Sequence, residues 1–322
     1  MGLIGKAARG SGGGTNTSTP DSALFGGAEN GVDSGSKSSA ASVGVHQNRV
    51  LTSAYSDVGS LADSDFVQLE EPRKQANTLV FGDGGTGKTT LATLFAPEPV
   101  AFINFDRRAS HAVRAAMARG RHIHYAQIDF PANITKLDDV TARKFGQTAV
   151  DKVIRNYEIA IRESQKGNIR TICLDTCTEY AEILKIAITG RIDKGKGDFG
   201  KSKDLINREL WKLYNLAREG NAHLIMLARG KAVWENNEPT GKFTYRGPDV
   251  MNDAADWSAH IRLKKARGGR SKKSFEMEIT KAGVTIEELG AVYSDSDWAD
   301  LDGPFVYACV LQYPGTLPED WQ

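Results

Sequence analysis

The sequence predicts an α/β fold whose sheet is mostly parallel, covered by helices on both faces and extended by antiparallel strands at its C-terminal side. From residue 73 onward, short apolar runs alternate with segments such as 147–166 and 203–219, where apolar residues recur at helical spacing. Three later pieces, at 242–246, 258–265 and 273–280, are predicted as antiparallel strands. The other strands are predicted at 77–81, 100–105, 122–128, 170–174 and 223–227, and the other helices at 90–95 and 109–119.

Composition limits the class of protein. The 322 residues are 40% hydrophobic and 25% charged, which is ordinary for a soluble globular chain, and the net charge of +1 means that any nucleic-acid surface must be local. Cys173, Cys177 and Cys309 lack the spacing of a metal site or a disulfide framework, so we expect buried, reduced thiols. No apolar run approaches the ~18 residues of a membrane span. We therefore expect a cytoplasmic protein without membrane contact.

A glycine-rich loop is the most specific feature of the chain. Residues 82–89 read Gly-Asp-Gly-Gly-Thr-Gly-Lys-Thr and satisfy the phosphate-binding pattern G-x-x-x-x-G-K-[ST]. A predicted strand precedes the loop and a predicted helix follows it, which is the context that points a helix N-terminus at phosphate. Lys88 is predicted to reach the β- and γ-phosphates and Thr89 to hold Mg²⁺. The residues predicted to bind the nucleotide are Gly82, Asp83, Gly84, Gly85, Thr86, Gly87, Lys88, Thr89 and Thr90.

Three further residues follow predicted strands at the edge of the sheet where ligands bind. Asp175 ends the strand 170–174 and is the expected second Mg²⁺ ligand, although it could simply cap the next helix. Asp106 is a candidate general base, or a cap for the helix 109–119. Arg229, like Lys231 after it, is positioned to sense the γ-phosphate or to stabilise transition-state charge, with a surface salt bridge as the alternative. The nucleotide is predicted to be ATP because no guanine-recognition motif stands in a convincing place.

The order of these motifs resembles the RecA-type recombinase core over residues 73–280. The strand ending at Asp106 is similar to the one that carries that family's catalytic glutamate, and Thr171–Thr176 is similar to its Walker B strand. Leu224–Arg229 is similar to its sensor strand, with an arginine in place of the usual amide. In size and layout the chain is similar to phage-encoded, core-only RecA-like ATPases, including single-strand annealing proteins. The resemblance implies Mg²⁺-dependent ATP hydrolysis, homo-oligomers, single-stranded DNA as partner, and a role in recombination or replication in a bacterial host cytoplasm.

The domain boundaries follow from composition. Residues 1–72 are predicted to be a disordered arm, since 1–65 contain 12 glycines and 12 serines. Within the arm, Phe25–Ala28 is either an incidental apolar spot or a peptide that docks on a neighbouring subunit. Residues 73–285 form the predicted ATPase domain. Residues 286–322 are predicted to be an acidic tail, which either competes with DNA for basic loops or is only a soluble end.

Three basic segments are the candidate DNA contacts, at 190–203, 230–256 and 262–273. The alternative for each segment is a solvated hairpin or loop that binds no ligand. A second function stays open, an oligomeric P-loop ATPase that acts on protein partners through the N-terminal arm. A small-molecule kinase is disfavoured because no arginine-rich lid is visible between the strands. The residues proposed to face DNA in the second segment are Lys231, Trp234, Lys242, Phe243, Tyr245 and Arg246.

Overall fold

The computed structural model describes residues 75–106, 108–129, 134–191, 199–264, 274–283, 286–298, 303–313 and 316–321. All of them belong to the second of two compact units, Leu69–Gln322. They form a mixed α/β fold with a mostly parallel sheet, helices on both faces and antiparallel strands at one side, which confirms the predicted fold class. The predicted arm, 1–72, lies outside the described residues.

The secondary-structure elements follow the predicted alternation of strands and helices. The strands are β1 (Asn77–Gly82), β2 (Val100–Asn104), β3 (Ile123–Gln127), β4 (Thr171–Asp175), β5 (His223–Glu235), β6 (Glu238–Arg246), β7 (Trp257–Lys264), β8 (Ser274–Lys281) and β9 (Val292–Ser294). The helices are α1 (Lys88–Phe95), α2 (Ala109–Met117), α3 (Asp139–Gln165), α4 (Cys177–Thr189), α5 (Phe199–Glu219), α6 (Val250–Asp253), α7 (Asp295–Trp298) and α8 (Pro304–Gln312).

The strands lie in the order β3-β2-β4-β5-β1-β7-β8-β9, and β6 pairs with β5 outside this path. Neighbours from β3 through to β7 are parallel, whereas β8 and β9 are antiparallel additions. The prediction that 258–265 is an antiparallel strand is therefore wrong for its pairing with β1. This strand, β7, runs parallel to β1 and antiparallel only to β8.

Both faces of the central strands are buried, which explains why these strands are continuous apolar runs. In β1, Leu79 and Phe81 pack into the core under α3, α4 and α5. Val80, which points the other way, packs into the core under α1, α2 and α8. The helices on each face thus hold β1 rigidly, and the phosphate loop follows directly from its end.

Helix α3 begins eight residues earlier than the apolar spacing predicts. Its N-cap is Asp138, whose carboxylate accepts hydrogen bonds from the backbone N–H groups of Val140 (3.1 Å) and Thr141 (3.0 Å). The extra turns carry few large apolar residues because they pack closely on α4. A Cβ on Gly146 would lie 2.6 Å from the backbone nitrogen of Ala187, so only glycine permits this approach.

Strand β5 is much longer than the predicted 223–227, and it forms a ribbon with β6. The first six residues of β5 are buried, and from Arg229 onward the strand is largely exposed. Asn236 and Asn237 join the two strands with φ angles of 51° and 67°, the left-handed conformation of a two-residue hairpin turn. We call residues 229–246 the β5–β6 ribbon. It continues beyond the sheet at the edge where the strands end.

The described parts of 286–322 are folded against the central sheet and its helices, although this segment is predicted to be a tail. Strand β9 pairs with β8. In α8, Phe305 and Val306 are buried in the same core as Trp321. The apolar residues of this segment therefore contribute to the domain.

The thiols agree with the expectation from the sequence. Cys173, Cys177 and Cys309 are buried free cysteines. Burial raises the pKa of each thiol, to about 12 for Cys309, so all three are protonated at neutral pH. Within the described ranges, no helix combines the length and apolar character needed to cross a bilayer.

Candidate nucleotide-binding site

The carboxyl ends of the parallel strands bring the predicted site residues to one edge of the sheet. In the strand register, Gly82 of β1 is paired with Arg229 of β5. Asn104 of β2 is paired with Asp175 of β4, and Asp106 follows two residues later. Because β5 separates β1 from β4, the phosphate loop, Arg229 and Asp175 lie side by side.

The phosphate loop joins β1 to α1 through two glycines in the left-handed conformation. Gly85 has φ 78° and Gly87 has φ 90°, and Gly87 is the N-cap of α1. A Cβ on Gly87 would also lie 2.2 Å from the ring of Phe275 in β8. A Cβ on Gly84 would meet nothing within 4 Å. The loop is thus fixed where it enters the helix and open where a phosphate would approach.

The remaining loop residues stabilise the turn. The hydroxyl of Thr86 donates to the carbonyl of Asp83 at 2.9 Å, and the carbonyl of Gly87 accepts from the backbone N–H of Leu91 at 2.8 Å. The carbonyl of Thr90 accepts a hydrogen bond from the hydroxyl of Thr93 at 3.0 Å. The first backbone N–H groups of a helix have no acceptor within the helix, so those at the start of α1 are available to a ligand.

Lys88 lies folded over the loop. Its ammonium donates to the carbonyls of Gly82 at 2.7 Å and Asp83 at 2.8 Å, and its side chain is largely buried. Burial lowers the pKa of Lys88, while the negative charge of Asp175 opposes that shift. The ammonium is therefore held at the loop, close to a carboxylate.

Thr89 and Asp175 form the candidate metal pair. The hydroxyl of Thr89 donates to Oδ2 of Asp175 at 2.7 Å, and the Asp175 side chain is buried. Burial raises the pKa of Asp175 to about 6, against the opposing effects of the Thr89 hydrogen bond and the Lys88 charge. A hydroxyl and a carboxylate are hard oxygen ligands, and Mg²⁺ in phosphate sites takes one or two such protein ligands together with phosphates and waters. The donor set fits this ion.

Asp106 lies at the predicted carboxyl edge of the sheet, and its carboxylate accepts a hydrogen bond from the backbone. Oδ1 accepts a hydrogen bond from the backbone N–H of Arg108 at 2.9 Å, but the N-cap of α2 is Arg108 rather than Asp106, so the capping alternative is wrong. The buried side chain of Asn104 donates to the Asp106 carbonyl at 2.5 Å, and also to Tyr125 and Gln127 of β3 at 2.8 Å each. This network fixes the backbone of Asp106. Its role as a general base stays a prediction.

Arg229 contacts Glu179, a residue that the sequence does not distinguish from other helical glutamates. Its guanidinium forms an ion pair with Glu179 in the first turn of α4. The hydroxyl of Thr178 accepts from the backbone N–H of Arg229 at 3.0 Å and donates to the carbonyl of Arg246 at 2.7 Å. Arg246 in turn pairs with Glu182 at 3.3 Å. Three residues of α4 therefore hold the base of the β5–β6 ribbon.

The ribbon carries several of the residues expected to face DNA. Trp234 is 62% exposed and Phe243 is 38% exposed, and Lys231 and Lys242 are also exposed. Phe243 stacks on His260, which stacks in turn on Phe81 at the end of β1, with ring centroids 4.9 and 5.3 Å apart. The ribbon is thus packed against the strand that leads into the phosphate loop.

The other two basic segments lie partly outside the described residues. In 190–203, residues 192–198 are not described, and neither are 265–273 of the segment 262–273. The described Arg262 pairs with Glu276 at 2.7 Å, so it is neutralised within the β7–β8 hairpin. The prediction that these segments bind DNA is not tested by the structure.

Comparison with known proteins agrees with this geometry. A family model described as an AAA domain matches residues 74–261, which is more than half of the chain and contains the phosphate loop, Asp175 and Arg229. A search of curated proteins finds no match.

Proposed function

The chain belongs to the AAA-domain family of P-loop ATPase-type domains, and on that premise we propose that it binds ATP with Mg²⁺ and hydrolyses the nucleotide. The observation that carries this proposal is the contact between Thr89 and Asp175 at 2.7 Å, beside the ammonium of Lys88. A phosphate-loop hydroxyl, a Walker B carboxylate and a loop lysine are the groups that hold the metal and the β- and γ-phosphates in such enzymes.

Each residue has a defined task in this reaction. The backbone N–H groups at the start of α1 bind the phosphates, and Lys88 would exchange the loop carbonyls for phosphate oxygens. Thr89 and Asp175 would hold Mg²⁺, which when bound supplies Lewis-acid neutralisation of the phosphate charge. Arg229, next to the loop on β5, is suited to stabilise negative charge on the γ-phosphate.

The proposed second ligand is single-stranded DNA on the β5–β6 ribbon. The ribbon carries exposed Trp234 and Phe243 beside Lys231 and Lys242, with Glu235 and Glu238 at its tip. Aromatic rings stack on unpaired bases of any sequence, and the cations contact phosphates. The resemblance to RecA-type recombinases supports a role in recombination or replication.

Steady-state ATP hydrolysis with and without single-stranded DNA, at about 50 and 200 mM salt, tests both parts of the proposal. We expect hydrolysis that DNA stimulates at low salt, with weaker stimulation at high salt, and no hydrolysis in Lys88→Ala. Absence of hydrolysis in the wild type would refute the enzymatic part. Hydrolysis that is indifferent to DNA would refute the DNA part and favour a protein partner instead.

A further inference from the structure

Glu179 is a carboxylate of the nucleotide site to which the proposed function assigns no role. It is in the first turn of α4, four residues after Asp175, and its backbone N–H donates to the N-cap hydroxyl of Thr176 at 3.4 Å. The helix begins at this point, so the side chain is directed across the end of β5. There Oε1 forms the ion pair with Arg229.

The second carboxylate oxygen of Glu179 is buried and has no hydrogen-bond partner among the described residues. Leaving an acceptor of a carboxylate buried and unsatisfied is unfavourable, and in a polar site beside bound phosphates a ligand or a water can satisfy it. The missing partner must be a hydrogen-bond donor small enough to enter the site. A water molecule meets both conditions.

The surroundings of Glu179 place this oxygen close to the phosphate loop. Arg229, which holds Oε1, is paired in the sheet with Gly82, and the carbonyl of Gly82 accepts from Lys88 at 2.7 Å. Burial lowers the pKa of Lys88, and the negative charge of Glu179 is one of the nearby charges that oppose this shift. Burial is also the main cause of the raised pKa of Glu179, to which the negative charge of Asp175 adds. Glu179 therefore lies among the groups that would surround the γ-phosphate.

Asp106, the base predicted from the sequence, is less well placed. It follows β2, which is separated from β1 by β4 and β5, whereas Glu179 contacts β5, the direct neighbour of β1. One carboxylate oxygen of Asp106 already accepts from the backbone of Arg108. One carboxylate oxygen of Asp106 is thus held by the backbone just before α2, while Oε2 of Glu179 is a buried acceptor without a partner among the described residues.

We propose that Glu179 is the catalytic residue that orients and deprotonates the attacking water in ATP hydrolysis, with Arg229 as its positioning residue; this rests on the proposed ATPase function. The water oxygen forms a bond to the γ-phosphorus while the bond between that phosphorus and the β–γ bridging oxygen breaks. A water proton passes to Oε2 of Glu179, and the bridging oxygen leaves with ADP. The proton then passes to solvent, which restores the carboxylate.

The protonation behaviour of Glu179 suits this task. Burial raises its pKa to about 7, and the positive charge of Arg229 opposes the shift. A general base works best when its pKa lies near the operating pH, because it is then both ionised and basic enough to accept a proton.

The test compares Glu179→Gln with Glu182→Gln, a matched change one turn along the same helix, where the glutamate pairs with Arg246 outside the site. We expect Glu179→Gln to lower kcat at least ~100-fold, the usual contribution of a general base. Affinity for a fluorescent ATP analogue should stay within about twofold in both variants, and Glu182→Gln should keep wild-type kcat. Melting temperatures of both variants verify that they fold, and Glu179→Asp gives a second test if the glutamine variant does not.

A readout that does not depend on turnover is the stabilisation of the protein by ADP with aluminium fluoride, which mimics the planar phosphoryl group with its attacking water. We expect Glu179→Gln to lose most of the melting-temperature increase caused by this mimic and to keep the increase caused by a non-hydrolysable ATP analogue. Wild-type-like kcat in Glu179→Gln, with hydrolysis abolished in Asp106→Asn, would overturn the assignment and leave the ATPase proposal intact. A wild type that binds ATP and does not hydrolyse it would overturn both.

Discussion

Replacing Gly87 by alanine perturbs the phosphate loop at its most constrained position. The residue has φ 90°, and an alanine in the left-handed region costs about 1–2 kcal/mol. The new Cβ would lie 2.2 Å from the ring of Phe275, and overpacking of this kind typically costs about 1–3 kcal/mol. We therefore expect Gly87→Ala to lower the free energy of unfolding by about 2–5 kcal/mol.

A double-mutant cycle separates the two contributions. Phe275→Ala removes the ring that the new methyl group would strike, but it leaves the backbone strain. Urea unfolding of the wild type, both single variants and the double variant should give a favourable coupling of about 1–3 kcal/mol. Gly84→Ala is the matched control, because its Cβ meets nothing within 4 Å, and we expect little change in its unfolding free energy.

Additive losses of unfolding free energy in the double variant would refute the predicted contact between Gly87 and Phe275. If the double variant loses the sum of the two single losses to within about 0.5 kcal/mol, Gly87 and Phe275 are not in contact, and β8 does not pack on the loop. A Gly84→Ala variant as unstable as Gly87→Ala would also contradict the predicted contact. Of the two glycines, only Gly87 has a left-handed φ and a close neighbour at its Cβ position.

Three further predictions concern pH, a helix cap and DNA. Burial lowers the pKa of His223 from 6.5 to about 4, because the folded protein keeps the imidazole neutral. The unfolded chain binds the proton more readily, so the free energy of unfolding is greatest above pH 6.5 and decreases as the pH falls. Near pH 4 the decrease reaches about 3 kcal/mol. Urea unfolding of His223→Asn between pH 7.5 and 4 should show a correspondingly smaller loss, and an unchanged slope would contradict the assignment. Asp138→Ala removes the N-cap of α3 and should lower the free energy of unfolding in the same assay, whereas no change would mean that the cap is not formed. Trp234→Ala should weaken binding of fluorescent single-stranded DNA by about 1–3 kcal/mol, while Trp211→Ala, another exposed tryptophan on α5, should not; equal effects would exclude stacking on the ribbon.

The sequence was sufficient for the parts of the site that depend on local spacing. The phosphate loop has fixed residues at fixed separations, and Asp175 ends an apolar strand, so both could be placed before the fold was known. The α/β class followed in the same way from strands whose two faces are both buried.

The parts that depend on contacts between distant segments could not be predicted. Glu179 looks like an ordinary helical glutamate until α4 is seen to begin against β5, where Arg229 meets it. The extension of β5 beyond Ala228 has no apolar alternation, because pairing with β6 holds it rather than burial. The early start of α3 depends on Gly146 lying against Ala187, a contact across two helices.

The most direct test of the nucleotide site is an experimental structure of the full chain with Mg²⁺ and a non-hydrolysable ATP analogue. The proposed function predicts the triphosphate at the N-terminus of α1, with Lys88 on its terminal phosphates and Mg²⁺ bound by Thr89 and held near Asp175. A nucleotide bound elsewhere, or a triphosphate that does not touch Lys88, would contradict it.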